Sequence, residues 1–479
     1  MGGSVECAPG AGGVGPHRIP ASAACKRASV TERLVVIGGD AGGMTAAMQA
    51  RRRRPELEIV ALEKGRWTSY SACGIPYVVG GVVDGLADLV VRTPEQFAAN
   101  SNIDARVRHE AIAIDLDKRE VEVRDLDGGR TYRLGFDILQ IGTGANAMRP
   151  DLPGVNDEHI HGVQTLEDGA HLLEHVGGAV PDSGGRAVVV GGGYIGLEMA
   201  EALLDRGWKH VIVVERMPEV MGTLDPDMGA LVSTAMRDEG IDVRCGTEVT
   251  GFDPGVVHTA DGPIEHDLVV LGLGVVPNTT LAADAGLDLG PKRSIAVDRR
   301  QHTSVDGIWA AGDCCQSFHL VSEEWVHIAL ATVANKQGRV AGINIGGGYA
   351  TFPGVVGTAV TKLCSLEVAR TGLTEREATD AGFEFEAVTI ESTSRAGYYP
   401  DAGQLKVKFV AERQSGRLLG AQIVGREGAA KRIDVVATAL TARMSVEAMT
   451  ALDLSYGPPF SPVWDPVLVA ARKAAERLS

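Results

Sequence analysis

Leu34-Val35-Val36-Ile37 is the first unbroken apolar run of the chain, and it predicts a strand buried on both faces. A glycine-rich turn over Gly38 to Gly43 follows it. Met44 to Arg54 then predicts a helix ended by Pro55, and Ile59-Val60-Ala61-Leu62 a second buried strand. The same order of signals returns at Ala187-Val188-Val189-Val190, with a glycine turn from Gly191 to Gly196, a helix over Leu197 to Arg206 and a strand at Val211 to Val214. Phe136 to Gly144, Leu268 to Asn278 and Thr303 to Asp313 predict further strands leaving these units. Beyond Gly346-Gly347-Gly348 the pattern changes. Leu405 to Val410 alternates as a half-exposed antiparallel strand does, and Leu418 to Val424 predicts its neighbour after a Ser415-Gly416 turn. Lys431 to Arg443 and Val467 to Leu478 predict helices, so the last part is an α+β module.

Each repeated unit closes on an acid, Glu63 in the first and Glu215 in the second. Strand, glycine turn, helix, strand and terminal acid form the fingerprint of a dinucleotide-binding unit. The glycines let the backbone approach a pyrophosphate at the helix N-terminus, and the acid takes a ribose hydroxyl. The second copy carries a complete G-x-G-x-x-G. In the first, Asp40 replaces the middle glycine and must point away from the phosphates. Two dinucleotides are therefore expected. A Gly312-Asp313 pair at a strand end lies where open α/β sheets place ligand groups.

Length changes the picture by requiring more than one core: 479 residues suggest about three domains. A formal charge of −16 argues against nucleic acid or an anionic membrane as a general partner. No membrane span is expected, since no apolar run reaches the length required. The seven cysteines, with no C-x-x-C, suit a reducing cytoplasm. Residues 1–31, with Cys7 and Cys25, read as a disordered leader outside the fold.

Candidate chemistry centres on Ser69 to Tyr77, S-Y-S-A-C-G-I-P-Y, between the two fingerprints. Cys73 sits there among small residues, placed for redox work. A thiolate is the reactive form, so a lowered thiol pKa is expected. Cys314 and Cys315 are adjacent and rarely could bridge without strain, so they read as packing residues.

Together these residues resemble the flavoprotein pyridine nucleotide-disulfide oxidoreductases over nearly all of Arg33 to Ser479, and S-x-x-x-C-G-x-P-Y resembles their single-cysteine branch. That branch includes coenzyme A disulfide reductase, NADH oxidase, NADH peroxidase and persulfide reductase. The resemblance implies two Rossmann-like domains and a C-terminal α+β dimerisation domain. FAD would occupy a split domain, 32–149 with 275–346, NAD(P)H an inserted one, 150–274, and residues 347–479 would form a homodimer interface. Gly38, Ala41, Gly43, Glu63, Lys64, Thr143, Gly144 and Asp313 fall at FAD positions by that pattern. Gly191, Gly193, Tyr194, Ile195, Gly196, Glu215 and Gly274 fall at nicotinamide-nucleotide positions, with Tyr194 as an aromatic gate. Gln49, Arg52 and Ser69 match substrate-side positions, the first two on one helix face. Tyr399 and Tyr456, in G-Y-Y-P and S-Y-G-P-P-F, match tyrosines that a partner subunit supplies to protonate a leaving thiol.

Val78 stands five residues after Cys73, which removes the two-cysteine glutathione and lipoamide branches. Ala41 replaces the histidine of the peroxidase and many oxidases. Ala72 and Trp464 depart from coenzyme A disulfide reductases, which can carry an amide and a base there. The expected activity is reduction of a small disulfide, coenzyme A disulfide foremost, with an NADH oxidase or a persulfide or polysulfide reductase as the alternatives. Glu215 favours NADH, while Arg216 could take the 2′-phosphate of NADPH.

Overall fold

The computed structural model describes residues 32–176 and 184–479. The expected leader, 1–31, lies outside the described residues.

Two five-stranded parallel sheets carry the repeated pattern. In the first, Arg33–Ile37 pairs with Glu58–Leu62 on one side and Ile138–Ile141 on the other. Asp104–Arg106 and Ile308–Ala310 close its two edges. In the second, Arg186–Val190 takes the same central place between His210–Glu215 and Leu268–Leu271, with Asp242–Cys245 and Ile160–Gly162 at the edges. The central strands are apolar because both faces are covered: Leu34, Val35 and Val36, and Val188 and Val189, are fully buried. The order is identical in the two sheets, but their fifth strands come from opposite directions. The first sheet recruits Ile308–Ala310 from beyond the second unit, while the second recruits Ile160–Gly162 from ahead of its own fingerprint.

Each unit also carries a three-stranded antiparallel meander that the periodicity did not predict. These are His109–Asp115, Glu120–Asp125 and Thr131–Gly135 in the first, and Val249–Asp253, Val256–Thr259 and Gly262–Glu265 in the second.

The C-terminal module is a five-stranded antiparallel sheet in the order Ala359–Leu363, Leu366–Gly372, Leu418–Gly425, Gln404–Glu412, Phe385–Thr393. Helices Ala429–Thr441 and Pro466–Leu478 cover one face with Ile433, Val436, Val467 and Ala471. Leu405 to Val410 lies in an antiparallel strand as its alternation predicts, and the opposite face of the sheet is covered as well. Arg370, Gln422 and Lys408, on three neighbouring strands, turn toward the second nucleotide unit. The Gln422 amide exchanges hydrogen bonds with Asp225, and Arg370 donates to the Thr223 carbonyl (3.0 Å). Lys408, 4 % exposed, has its ammonium 3.2 Å from Asp225, 2.7 Å from Asp227 and in contact with Glu375. A buried ammonium is tolerated because three carboxylates surround it.

Candidate active site

The first glycine turn leads from the strand Arg33–Ile37 into the helix Ala41–Arg53. Gly38 has φ +108°, a region that side chains rarely adopt, and a Cβ on Gly43 would lie 2.1 Å from the Gly38 carbonyl. Only glycine permits that approach. The helix start has no side-chain cap and no acid in its first turn, which leaves its amides for an anion. Glu63 braces the turn: one carboxylate oxygen accepts from the Gly39 amide (2.7 Å) and the other from Gly65 (2.7 Å). Asp313, after Gly312 at the end of the adjoining strand, has Oδ1 buried without a partner among the described residues, and burial pushes its carboxyl up to about 6. An orphaned acceptor beside an open helix start fits the polar groups of a dinucleotide. Thr143 donates to the Asn278 carbonyl (2.5 Å), Gly144 follows with φ +66°, and Lys64 pairs with Glu110 (2.9 Å).

The second turn repeats this construction. A Cβ on Gly196 would lie 2.0 Å from the Gly191 carbonyl, and Gly193 precedes the uncapped helix Tyr194–Asp205. Glu215 accepts from Gly192 (2.7 Å) and Met217 (2.8 Å), the counterparts of Gly39 and Gly65. Arg216 is exposed beside it, and Gly274 is exposed with φ +87°. Tyr194 is half-buried on the first turn of the helix ahead of Ile195, its hydroxyl without a hydrogen-bond partner among the described residues.

Both units reach the cysteine loop. Ser69, at φ +48°, donates its amide to the Gly39 carbonyl (2.9 Å). Tyr70 donates its amide to the Asp40 carboxylate (3.1 Å). Asp40 thus ties the cysteine loop to the helix start, where the Ala41 amide also acts on it, and burial pushes it up to about 6. Cys73 lies in the 3₁₀ turn Ala72–Gly74 ahead of the short helix Ile75–Val79, with its side chain exposed. Packing around the sulfur raises its pKa above the ordinary thiol value, and the Glu198, Asp313 and Asp40 carboxylates add to the rise. The expected lowered pKa is therefore overturned. The strongest charges acting on this sulfur are all negative, and the local backbone opposes them only in part.

Glu198 was not singled out in the sequence. It stands on the helix after the second glycine turn, is raised by burial, and accepts from Thr361 Oγ1 of the C-terminal module (2.6 Å). The signal was its place one helical turn beyond Tyr194, which puts the two on one face.

The remaining predicted residues are engaged elsewhere or exposed. Gln49 accepts from Arg53 (3.2 Å) instead of meeting Arg52, which is exposed. Tyr398 and Tyr456 are exposed and interact with each other, which raises the Tyr398 phenol, while Tyr399 lies half-buried near the Arg395 guanidinium. Their loops are tied by Ala396 donating to Pro458 (3.0 Å) and by Arg432 donating to Ser394 and Phe460 (2.7 and 2.8 Å). Phe460, Val463 and Trp464 extend this exposed apolar surface. Cys314 and Cys315 are buried beneath the first sheet as packing residues. Among the described residues no helix is long and apolar enough to cross a membrane.

Residues 32–338 match the family model described as pyridine nucleotide-disulphide oxidoreductase, and residues 358–466 match the dimerisation domain of that family. The chain is 35 % identical over 448 residues to the NAD(P)H sulfur oxidoreductase (CoA-dependent) of Pyrococcus abyssi, covering 92 % of this chain and 98 % of that one. It is 28 % identical to the coenzyme A disulfide reductase of Staphylococcus aureus, over 92 % and 99 % of the two chains. Among solved structures it resembles an NAD-dependent persulfide reductase from A. fulgidus at a TM-score of 0.89 and 37 % identity, over 93 % and 83 % of the two chains.

Proposed function

We propose that this chain, which belongs to the pyridine nucleotide-disulphide oxidoreductase family, reduces a low-molecular-weight disulfide, coenzyme A disulfide foremost, through Cys73. It is a flavin-dependent NAD(P)H oxidoreductase with two nucleotide-binding domains and a dimerisation domain. One observation carries the substrate reading: an exposed lone thiol on a loop hydrogen-bonded to the first nucleotide turn, with Glu198 of the second unit acting on it.

In this reading the first domain, 32–149 with 275–346, holds FAD, and 150–274 holds NAD(P)H. FAD, when bound, relays two electrons from NAD(P)H to sulfur. Gly38, Gly43 and the helix start at Ala41 hold the pyrophosphate. Glu63 stiffens the turn, and Asp313 supplies the buried acceptor. Gly191, Gly193, Gly196 and Glu215 do the same for the nicotinamide nucleotide. The Cys73 thiolate attacks one sulfur of the substrate disulfide, forms the mixed disulfide and releases the other half as a thiolate. Two electrons would then cleave the mixed disulfide, releasing the second half as a thiolate and returning the Cys73 thiolate. Tyr456 and Tyr399, presented by a second copy across the exposed 398–464 surface, give a proton to the leaving thiol. Gln49, Arg52 and Ser69 face the substrate side. Tyr194 gates the nicotinamide. The enzyme works as a homodimer in the cytoplasm.

A persulfide or polysulfide acceptor is the second reading, favoured by the absence of an amide at Ala72 and of a base at Trp464. Anaerobic turnover with each nicotinamide against coenzyme A disulfide, other small disulfides and persulfides separates the two. Cys73→Ser is expected to lose turnover with every sulfur substrate while still passing electrons to an artificial acceptor. Full disulfide reduction by that variant would overturn the proposal.

A further inference from the structure

Away from the cysteine, a cavity of about 360 Å³ opens beside the edge strand of the second sheet, lined by His161, His171, His175, Glu158, Glu174 and Arg149. Three of the chain's twelve histidines line it, and a fourth, His159, stands at its rim. Their spacing follows from the elements that carry them. His161 lies in the strand Ile160–Gly162 with His159 in the turn just before it, while His171 and His175 are four apart on the helix Leu166–Val176. Strand and helix thus bring the rings together. The centroids of His161 and His175 are 4.6 Å apart, and those of His159 and His175 5.7 Å. Imidazoles on one tetrahedral ion, with nitrogens about 2.0–2.1 Å from the metal, hold their ring centres roughly 5 Å apart.

We propose that His159, His161 and His175 form a binding site for a first-row divalent transition ion of the zinc class, with the fourth position open. His161 is 7 % exposed, and its Nε2 has no partner among the described residues, an unusual state for a buried imidazole nitrogen. His175 gives its Nδ1 proton to the His171 carbonyl (3.1 Å), which leaves Nε2 as the free lone pair. The charge balance also suits a cation. Asp157, Glu158 and Glu174 line the cavity against Arg149, whose guanidinium is spent on the Val155 and Ile160 carbonyls (2.9 and 3.1 Å). The three ligand nitrogens do not yet share one coordination sphere. In the proposed site that closure falls to the His159 side chain, which is 43 % exposed. The carboxylate trio Asp225, Asp227 and Glu375 is a close set of donors, but the Lys408 ammonium already sits among all three.

The test uses the holoenzyme, stripped with a chelator and titrated with Zn²⁺ by calorimetry, with metal content read after gel filtration. One ion per chain is expected. His175→Gln and His159→Gln, both at exposed or rim positions, should each weaken binding by at least the roughly tenfold that loss of an outer-shell partner costs. Cu²⁺ loaded in place of Zn²⁺ should give an electron paramagnetic resonance spectrum with imidazole nitrogen couplings that diminish in the same variants. FAD content and disulfide turnover without metal should be unchanged in both, which separates loss of the site from loss of the fold. Substoichiometric Zn²⁺, or stoichiometric Zn²⁺ indifferent to both substitutions, would overturn the site.

Discussion

Side by side, the two nucleotide units are nearly one design. Strand order is the same, and each closing glutamate accepts from the same two amides of its own turn. They part at the middle fingerprint position, which is Asp40 in the first and Gly193 in the second. The carboxylate of Asp40 accepts from the Tyr70 amide, so the first turn is tied to the cysteine loop. The second turn leads instead into a helix that presents Glu198 toward the same region. A shared nucleotide cradle therefore does two jobs, fixing the thiol in one copy and approaching it with a side chain in the other.

The most severe way to break this symmetry is to fill one cradle at a time. Gly43→Val and Gly196→Val each drive a side chain into a carbonyl, a conflict worth about 3 kcal/mol or roughly a hundredfold. The first should purify without flavin. The second should keep its flavin absorbance and lose NAD(P)H-dependent turnover. Flavin loss in both would show that the units are not separable.

Exchanging the divergent position is gentler. Asp40 titrates at about 6 against an ordinary 3.8. Between those values the fold holds a proton that the unfolded chain has released, so stability falls as pH rises through the window, and the loss is complete above it. Asp40→Asn should stabilise the flavin-free protein at pH 7 by up to about 3 kcal/mol, and not at pH 3.5, as read by urea unfolding at both pH values. Gly193→Asp, where a Cβ meets nothing closer than 3.7 Å, should raise the KM for NAD(P)H about tenfold through charge alone.

Glu198→Gln removes one carboxylate from the sulfur. Alkylation of Cys73 by iodoacetamide should rise with pH in both proteins, with its midpoint lower in the variant and a rate near pH 8 a few-fold higher. An unchanged profile would mean that packing alone sets the thiol. The smallest change is expected from Arg216→Ala, which should lower kcat/KM for NADPH relative to NADH by less than about tenfold.

Both fingerprints and most sheet strands were legible because glycine spacing and apolar runs are local signals, as at Gly191 to Gly196. The Cys73 loop was legible for the same reason. Its environment was not: Glu198 lies more than a hundred residues away in sequence, and the sign of the thiol shift depends on carboxylates gathered from three separate segments. Lys408 shows the same limit, since alternation marks which residues share a face but not what covers it. The meanders escaped because short, half-exposed strands such as Thr131–Gly135 lack a strong period.

The ladder of Arg370, Gln422 and Lys408 against residues 223–227 bears on how the enzyme can move. Together with Thr361 on Glu198 and the Cys364 amide on Glu201, it bolts the second nucleotide unit to the module that would meet a second copy. A unit fastened through buried charge has no swivel. If this unit holds the nicotinamide as proposed, any mutation that loosens the bolt should be felt first as a slackened hydride distance, not as an unfolded domain.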